Sequence, residues 1–299
     1  MKYITLLLVL FLASCRNLPV NKEDLSGLDF RLFQGTIAWD LAKAVEDEDT
    51  ARIQYEVKNK RIPVDFKESR WKQTLLMLAV STNKVQSVRC LLKLGASPNE
   101  PEDSINDVGD NPVIVAAKYL APSNKILKLL LKFGGNPNST ECGRKQDNLG
   151  NWVPARNIAL SEAVFTDFEK VRILVEAGAN VNLQTETDEG AVHSALVCKR
   201  MDVLLFLLEK GADYNMKYER FNPDSPNPTY YVDILHELRL CVFPLNSKEH
   251  KDKLKVIGFL KERGMDYWGS PIPDGVVGII KKEIAPKDEC EFQEYIKKY

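Results

Sequence analysis

Three histidines occur in this chain of 299 residues, His193, His236 and His250. A helical metal pair needs two imidazoles about one turn apart, so that both leave the same face. His236 is followed by Glu237 and Leu238, the start of such a pattern, but no second histidine completes it. His250 stands among Lys248, Glu249, Lys251 and Asp252 and is expected to be solvated. The cysteines are Cys15, Cys90, Cys142, Cys198, Cys241 and Cys290. A nucleophilic thiol needs a base that holds its thiolate, and the pattern sets no histidine beside any of them. Beyond Cys15 the number is odd, so at least one thiol stays free in an oxidising compartment. Cys90 and Cys198 are expected to fall within helices and to behave as small buried hydrophobes. Cys142 and Cys290 lie in polar segments, and a disulfide at Cys142 has no obvious partner. Gly134 and Gly135 follow an apolar run instead of preceding one, so they end a helix and do not open a phosphate loop. The expectation is a non-enzymatic chain with no catalytic residue, no metal and no cofactor.

Composition agrees with a globular body. Hydrophobic residues make up 44% and charged residues 28%, which excludes a mostly disordered chain and a multi-span membrane protein. Lys and Arg number 41 against 42 Asp and Glu, a formal net charge of −1. No global basic field concentrates nucleic acid, so nucleic acid is not an expected partner.

Residues 1–15 read MKYITLLLVLFLASC. Lys2 supplies a positive start, residues 4–12 an apolar core too short to span a bilayer, and Ala13 and Ser14 the small residues before a cleavage point. Leu12-Ala13-Ser14-Cys15 resembles the lipobox of bacterial lipoproteins. The resemblance implies a signal peptide over 1–14 and a diacylglycerol thioether on Cys15. Arg16 stands where that family places Asp for inner-membrane retention, which implies an outer-membrane lipid anchor facing the periplasm. Residues 15–30 are then expected to be a polar tether.

The elements behind these residues repeat. Five segments end alike: CLLKLGASPN (90–99), LLLKFGGNPN (129–138), ILVEAGANVN (173–182), FLLEKGADYN (206–215) and FLKERGMDYW (259–268). An aliphatic helix precedes Gly95, Gly134, Gly178, Gly211 or Gly264, and four of the five reach an Asn four residues later. Glycine accepts the left-handed backbone that ends a helix, and Asn favours the turn that follows. Upstream lie shorter helical patterns carrying Ala79, Ala116, Ala163 and Ala195, where a small side chain lets two helices approach. Residues 38–66 are expected to form a divergent first unit, with Leu41, Ala44 and Val45 on one helix and Ile53 and Val57 on the next.

These units resemble the ankyrin repeat, about 33 residues of turn and two helices. The clearest is 190–215, with Gly190-Ala191-Val192-His193-Ser194-Ala195 in register. The resemblance implies an all-α ankyrin-repeat solenoid of about six repeats over 31–268, with a C-terminal helical cap over 269–299. It also places His193 and His236 at the signature histidine, where the ring bonds neighbouring turn backbone. The last unit departs most, with Leu238 in place of the alanine and an insertion near 244–252.

The landmark glycines are spaced 39, 44, 33 and 53 residues apart. The excess falls mostly in finger segments 100–110, 139–156 and 216–229, beside the face where ankyrin arrays usually bind. Residues 100–110 carry Glu100, Glu102, Asp103, Asp107 and Asp110 without a Lys or Arg, suited to steering a basic patch. The second finger carries Trp152, and the third carries Tyr218, Arg220 and Phe221, residue types favoured as interface anchors. Asp103, Asp107, Trp152, Tyr218, Arg220 and Phe221 are therefore the candidate partner-binding residues. In the periplasm such a chain resembles ankyrin-repeat lipoproteins that act as immunity proteins against secreted (type VI) antibacterial phospholipase effectors. That implies a 1:1 complex in which the toxin's active site or membrane-docking surface is covered. An envelope scaffold that supports a resident periplasmic enzyme is the alternative.

Overall fold

Helix starts are written in side chains that accept from the first free backbone N–H groups. Thr74 Oγ1 accepts from Met77 N at 3.2 Å, and Asn111 Oδ1 accepts from both Val113 N and Ile114 N. Pro112 occupies the first turn, where its missing N–H costs nothing. The computed structural model describes residues 18–103, 105, 107–147, 149–221, 228–273 and 275–299. The expected leader over 1–14 and Cys15 lie outside them. Two compact units divide at Ala179 and Asn180.

The first unit contains four helix pairs: α1 (Trp39–Glu46) with α2 (Thr50–Lys58), α3 (Leu75–Ser81) with α4 (Val85–Lys93), α5 (Pro112–Lys118) with α6 (Asn124–Lys132), and α7 (Ala159–Thr166) with α8 (Phe168–Glu176). First helices pack on first helices and second helices on second, giving two rows. Every residue of α3 from Leu75 to Val80 is buried, because it packs on its partner and on the first helices of the units before and after it. On α6, Ile126, Leu127, Leu129 and Leu130 face inward, and each buried aliphatic stabilises by about 1.5–3 kcal/mol. Ile53 and Val57 share α2, as expected. Ile53 is buried, Val57 is partly exposed, and Glu56 is buried one turn after Arg52, which pairs with it at 2.6 Å.

The second unit contains α9 (Ala191–Val197), α10 (Met201–Glu209), α11 (Ile234–Leu240), α12 (Lys248–Lys261), α13 (Val276–Glu283) and α14 (Glu289–Lys298). Val276 and Ile280 of α13 meet Phe292 and Tyr295 of α14, with Val242 and Tyr299, in a small core of their own. The landmark glycines at 95, 134, 178, 211 and 264 all take φ between 86° and 95°. At the first of these turns Ala96 N donates to Leu91 O at 3.0 Å and closes the helix.

Four expectations are corrected. The chain is mostly helical and not all-α, because two antiparallel hairpins occupy fingers: β1 (Arg144–Gln146) with β2 (Trp152–Pro154), and β3 (Tyr218–Phe221) with β4 (Thr229–Val232). The expected tether is docked from Leu18 onward. Gln34 Nε2 donates to Leu18 O while its Oε1 accepts from Val20 N, and Arg70 Nη1 donates to the carbonyls of Lys22 and Leu25. His250 is 7% exposed and not solvated. The expected insertion near 244–252 is half helix, since Ser247 Oγ accepts from His250 N and starts α12 at Lys248, which turns His250 inward.

Candidate functional site

Finger 100–110 folds inward, because its acids find partners beneath it. Lys67 pairs with Glu100 at 2.8 Å and donates to Pro101 O. Glu102 N donates to Asp110 O, which closes the loop, and Asp103 N donates to Trp71 O, which ties it down. Asp107 Oδ1 accepts from Val108 N at 2.7 Å. Asp110 is buried, and Lys118 at the end of α5 bridges its Oδ2 (3.4 Å) to Oε1 of buried Glu141 (2.9 Å). The acidic tuft expected to reach toward a partner is thus half consumed inside the first unit.

Under this finger lies a cavity of about 590 Å³ between α3 and α5, with Trp71, Gln73, Met77, Glu102, Asp110 and Tyr119 in its wall. Gln73 Nε2 donates to Glu102 Oε2 at 3.0 Å. Three buried polar atoms of the wall have no hydrogen-bond partner among the described residues: Trp71 Nε1, Gln73 Oε1 and Asp110 Oδ1. Burial, reinforced by Asp110 and Asp107, pushes the Glu102 carboxyl up to about 7. Burial likewise raises Asp110 to about 6, against the pull of Lys118.

The second finger stands on the first. Gly143 N donates to Val108 O at 2.8 Å and Arg144 N to Asp107 O at 2.9 Å. A Cβ on Gly143 would lie 2.0 Å from Asp107 O, so only glycine allows the two backbones to meet. Above this base the β1–β2 hairpin presents Trp152, 51% exposed, with Arg144 Cζ 5.7 Å from its ring. Leu149 is exposed between the two strands. Cys142 is a free thiol, as are Cys90, Cys198, Cys241 and Cys290.

In the second unit the third finger divides its candidates. Tyr218 is 2% exposed and stacks on His193, ring centroids 5.2 Å apart, so it anchors the hairpin and is not presented to a partner. Arg220 pairs with Glu237 at 2.9 Å and contacts His193 Nε2 at 3.1 Å. Burial holds His193 below its ordinary value despite Glu189, and its Nε2 lies between Arg220 and Glu189. The expected bond from His193 to turn backbone is replaced by this side-chain cluster. Phe221, 70% exposed, faces outward beside Tyr230 and Tyr231; residues 222–227 of the finger lie outside the described residues. His236 lines a small cavity of about 220 Å³ with Tyr231 and Asp233.

Residues 41–141 match the family model for ankyrin repeats (3 copies). Comparison with curated proteins gives no match. The matched stretch runs from α1 to the base of the second finger and contains most of the cavity wall. Ankyrin repeats are a protein–protein interaction module and generally non-enzymatic, and they point to a protein partner. Among the described residues, no group of three or more His, Cys, Asp and Glu side chains is arranged to hold a metal ion, and no helix is long and apolar enough to cross a membrane.

Trp71, Gln73, Lys118, Glu141 and Gly143 escaped the sequence reading. A tryptophan in the polar stretch before a repeat helix was the available signal for Trp71. Nothing local marks Lys118 or Glu141, whose meaning comes from a contact between residues 23 positions apart.

Proposed function

We propose that this chain is a non-enzymatic, lipid-anchored protein-binding module that inhibits a secreted antibacterial toxin, a phospholipase-type effector, by covering its active-site mouth or membrane-docking surface. The supporting observation is the pair of β-hairpins inserted among helical repeats, each with exposed aromatic rings: Trp152 on one, Phe221 and Tyr231 on the other. Rigid rings on two-stranded supports lose little conformational freedom on binding, which makes them efficient anchors. Neutralisation demands a dissociation constant near nanomolar, about −12 kcal/mol. A thioether lipid on Cys15, at the outer membrane and facing the periplasm, holds the inhibitor where such a toxin arrives; each buried methylene contributes about 0.8 kcal/mol.

The test is affinity capture with the immobilised full chain from the secreted and envelope proteins of its own cell. A hydrolase retained at 1:1 that loses lipid-cleaving activity on binding is the expected result. A resident periplasmic enzyme retained with activity unchanged or raised would replace inhibition by a scaffold role. Cys15→Ser should abolish incorporation of labelled fatty acid; persistent labelling would move the anchor elsewhere.

A further inference from the structure

We infer that the cavity beneath the first finger is a socket for an arginine side chain of the protein partner, with Trp71 Nε1 donating to a main-chain carbonyl of the same segment. The inference rests on the protein-binding reading above and names what one part of the surface recognises. Three observations carry it together. The cavity is large enough, at about 590 Å³, to admit a long side chain. Its wall contains Glu102, Asp107 and Asp110, whereas the nearby cations are already held: Lys118 by Asp110 and Glu141, and Arg70, which lies over the Trp71 ring, by the carbonyls of Lys22 and Leu25. Its unpartnered buried atoms are mixed in kind: Gln73 Oε1 and Asp110 Oδ1 accept, while Trp71 Nε1 donates.

This mixture selects among ligands. A metal ion or simple ammonium would leave the indole N–H unsatisfied. An anion would satisfy the indole but oppose the carboxylates. A guanidinium has five donors in a planar fork, which suits acceptors spread over Asp110, Gln73 and Glu102 better than a compact ammonium does. Its aliphatic stem would lie along Met77, Val115 and Tyr119. The peptide carbonyl beside it supplies the acceptor that Trp71 Nε1 lacks. Gly27 also lines the cavity, and an added Cβ there would be 3.9 Å from Trp71 Nε1 and 3.5 Å from Gln73 Nε2.

The experiment uses the full chain labelled with nitrogen-15, with the Trp71 indole N–H signal assigned by Trp71→Phe. The probes are acetyl-Gly-Arg-Gly-amide and the same peptide with citrulline, which keeps the shape and loses the charge. The arginine peptide should move the Trp71 signal saturably, and the citrulline peptide should bind about tenfold more weakly. Glu102→Gln keeps an acceptor for Gln73 Nε2 and should cost a similar factor. Gly27→Leu, which has room for its Cβ, should block the socket with the fold intact by circular dichroism. Equal binding of the two peptides, or an unmoved Trp71 signal, overturns the assignment. A captured and inhibited partner with an unmoved Trp71 signal would sink the socket alone. A shifted signal with an empty capture would sink the inhibitor reading alone.

Discussion

Asn99 holds the turn of the following repeat at two points around Gly134: its Nδ2 donates to Gly134 O at 2.9 Å and its Oδ1 accepts from Asn136 N at 2.8 Å. Asn182 repeats the arrangement with Gly211 O and Asp213 N. The asparagine expected to shape its own turn therefore also couples consecutive repeats. Asn99→Ala removes both bonds and should lower stability by about 1–3 kcal/mol, at about 0.5–1.5 kcal/mol per bond. Urea unfolding of variant and parent measures it; an unchanged midpoint would show that water replaces both bonds without loss.

Tyr218 separates packing from polarity. Its ring is buried against His193, but its hydroxyl has no hydrogen-bond partner among the described residues. Tyr218→Phe should leave stability unchanged or raise it, because it deletes an unsatisfied polar group. Tyr218→Ala opens a cavity and should cost about 3–5 kcal/mol. Thermal melts distinguish the two, and a large loss in the phenylalanine variant would mean the hydroxyl has a partner in solution.

Lys253 sets a pH dependence. Its ammonium is 1% exposed, donates to Cys241 O at 3.0 Å and lies between the rings of Tyr267 and Tyr299. Burial, with Arg239 nearby, pushes it down to about 7, whereas an unfolded lysine titrates near 10.4. Between those values the unfolded chain holds the extra proton, so stability rises with pH. The melting temperature should climb from pH 7 to 8, below the value of about 8.5 at which the unfolded chain begins to lose the thiol proton that buried Cys241 keeps. Lys253→Met should flatten that climb, and a slope equal to the parent's would exclude Lys253 as its source.

Exposed rings should matter to binding and not to folding. Trp152→Ala and Phe221→Ala remove half or more exposed side chains, so each should change stability by less than about 0.5 kcal/mol. Combined, they should weaken capture of the partner by roughly 1,000-fold, as for anchor residues worth about 2 kcal/mol each. Surface-based affinity measurement decides it, with undiminished capture removing the hairpins from the interface.

Patterns local to one helix were legible from the sequence. The aliphatic runs before Gly95, Gly134, Gly178 and Gly211 became helices with glycine ends because periodicity and turn chemistry act over a few residues. The fingers were legible through the repeat resemblance, but the strands and register of the hairpins were not: the strands are three or four residues long, and β1 pairs with β2 across a polar loop with no alternating pattern. Tyr218, Arg220 and Phe221 looked equivalent as neighbours in sequence. Alternation along β3 buries Tyr218 and exposes Phe221, while Glu237, 17 residues away, claims the arginine. The cavity was invisible for the same reason, since Trp71, Glu102 and Tyr119 meet only after the repeats stack.

The contact of Gly143 with Asp107 O and Val108 O makes the base of one finger the footing of the next. Loop tips beyond that footing are free to lengthen, shorten or change their residues without disturbing the helix rows beneath. Leu149 and Trp152 set what this finger presents, whereas Gly143 sets whether the finger is held at all.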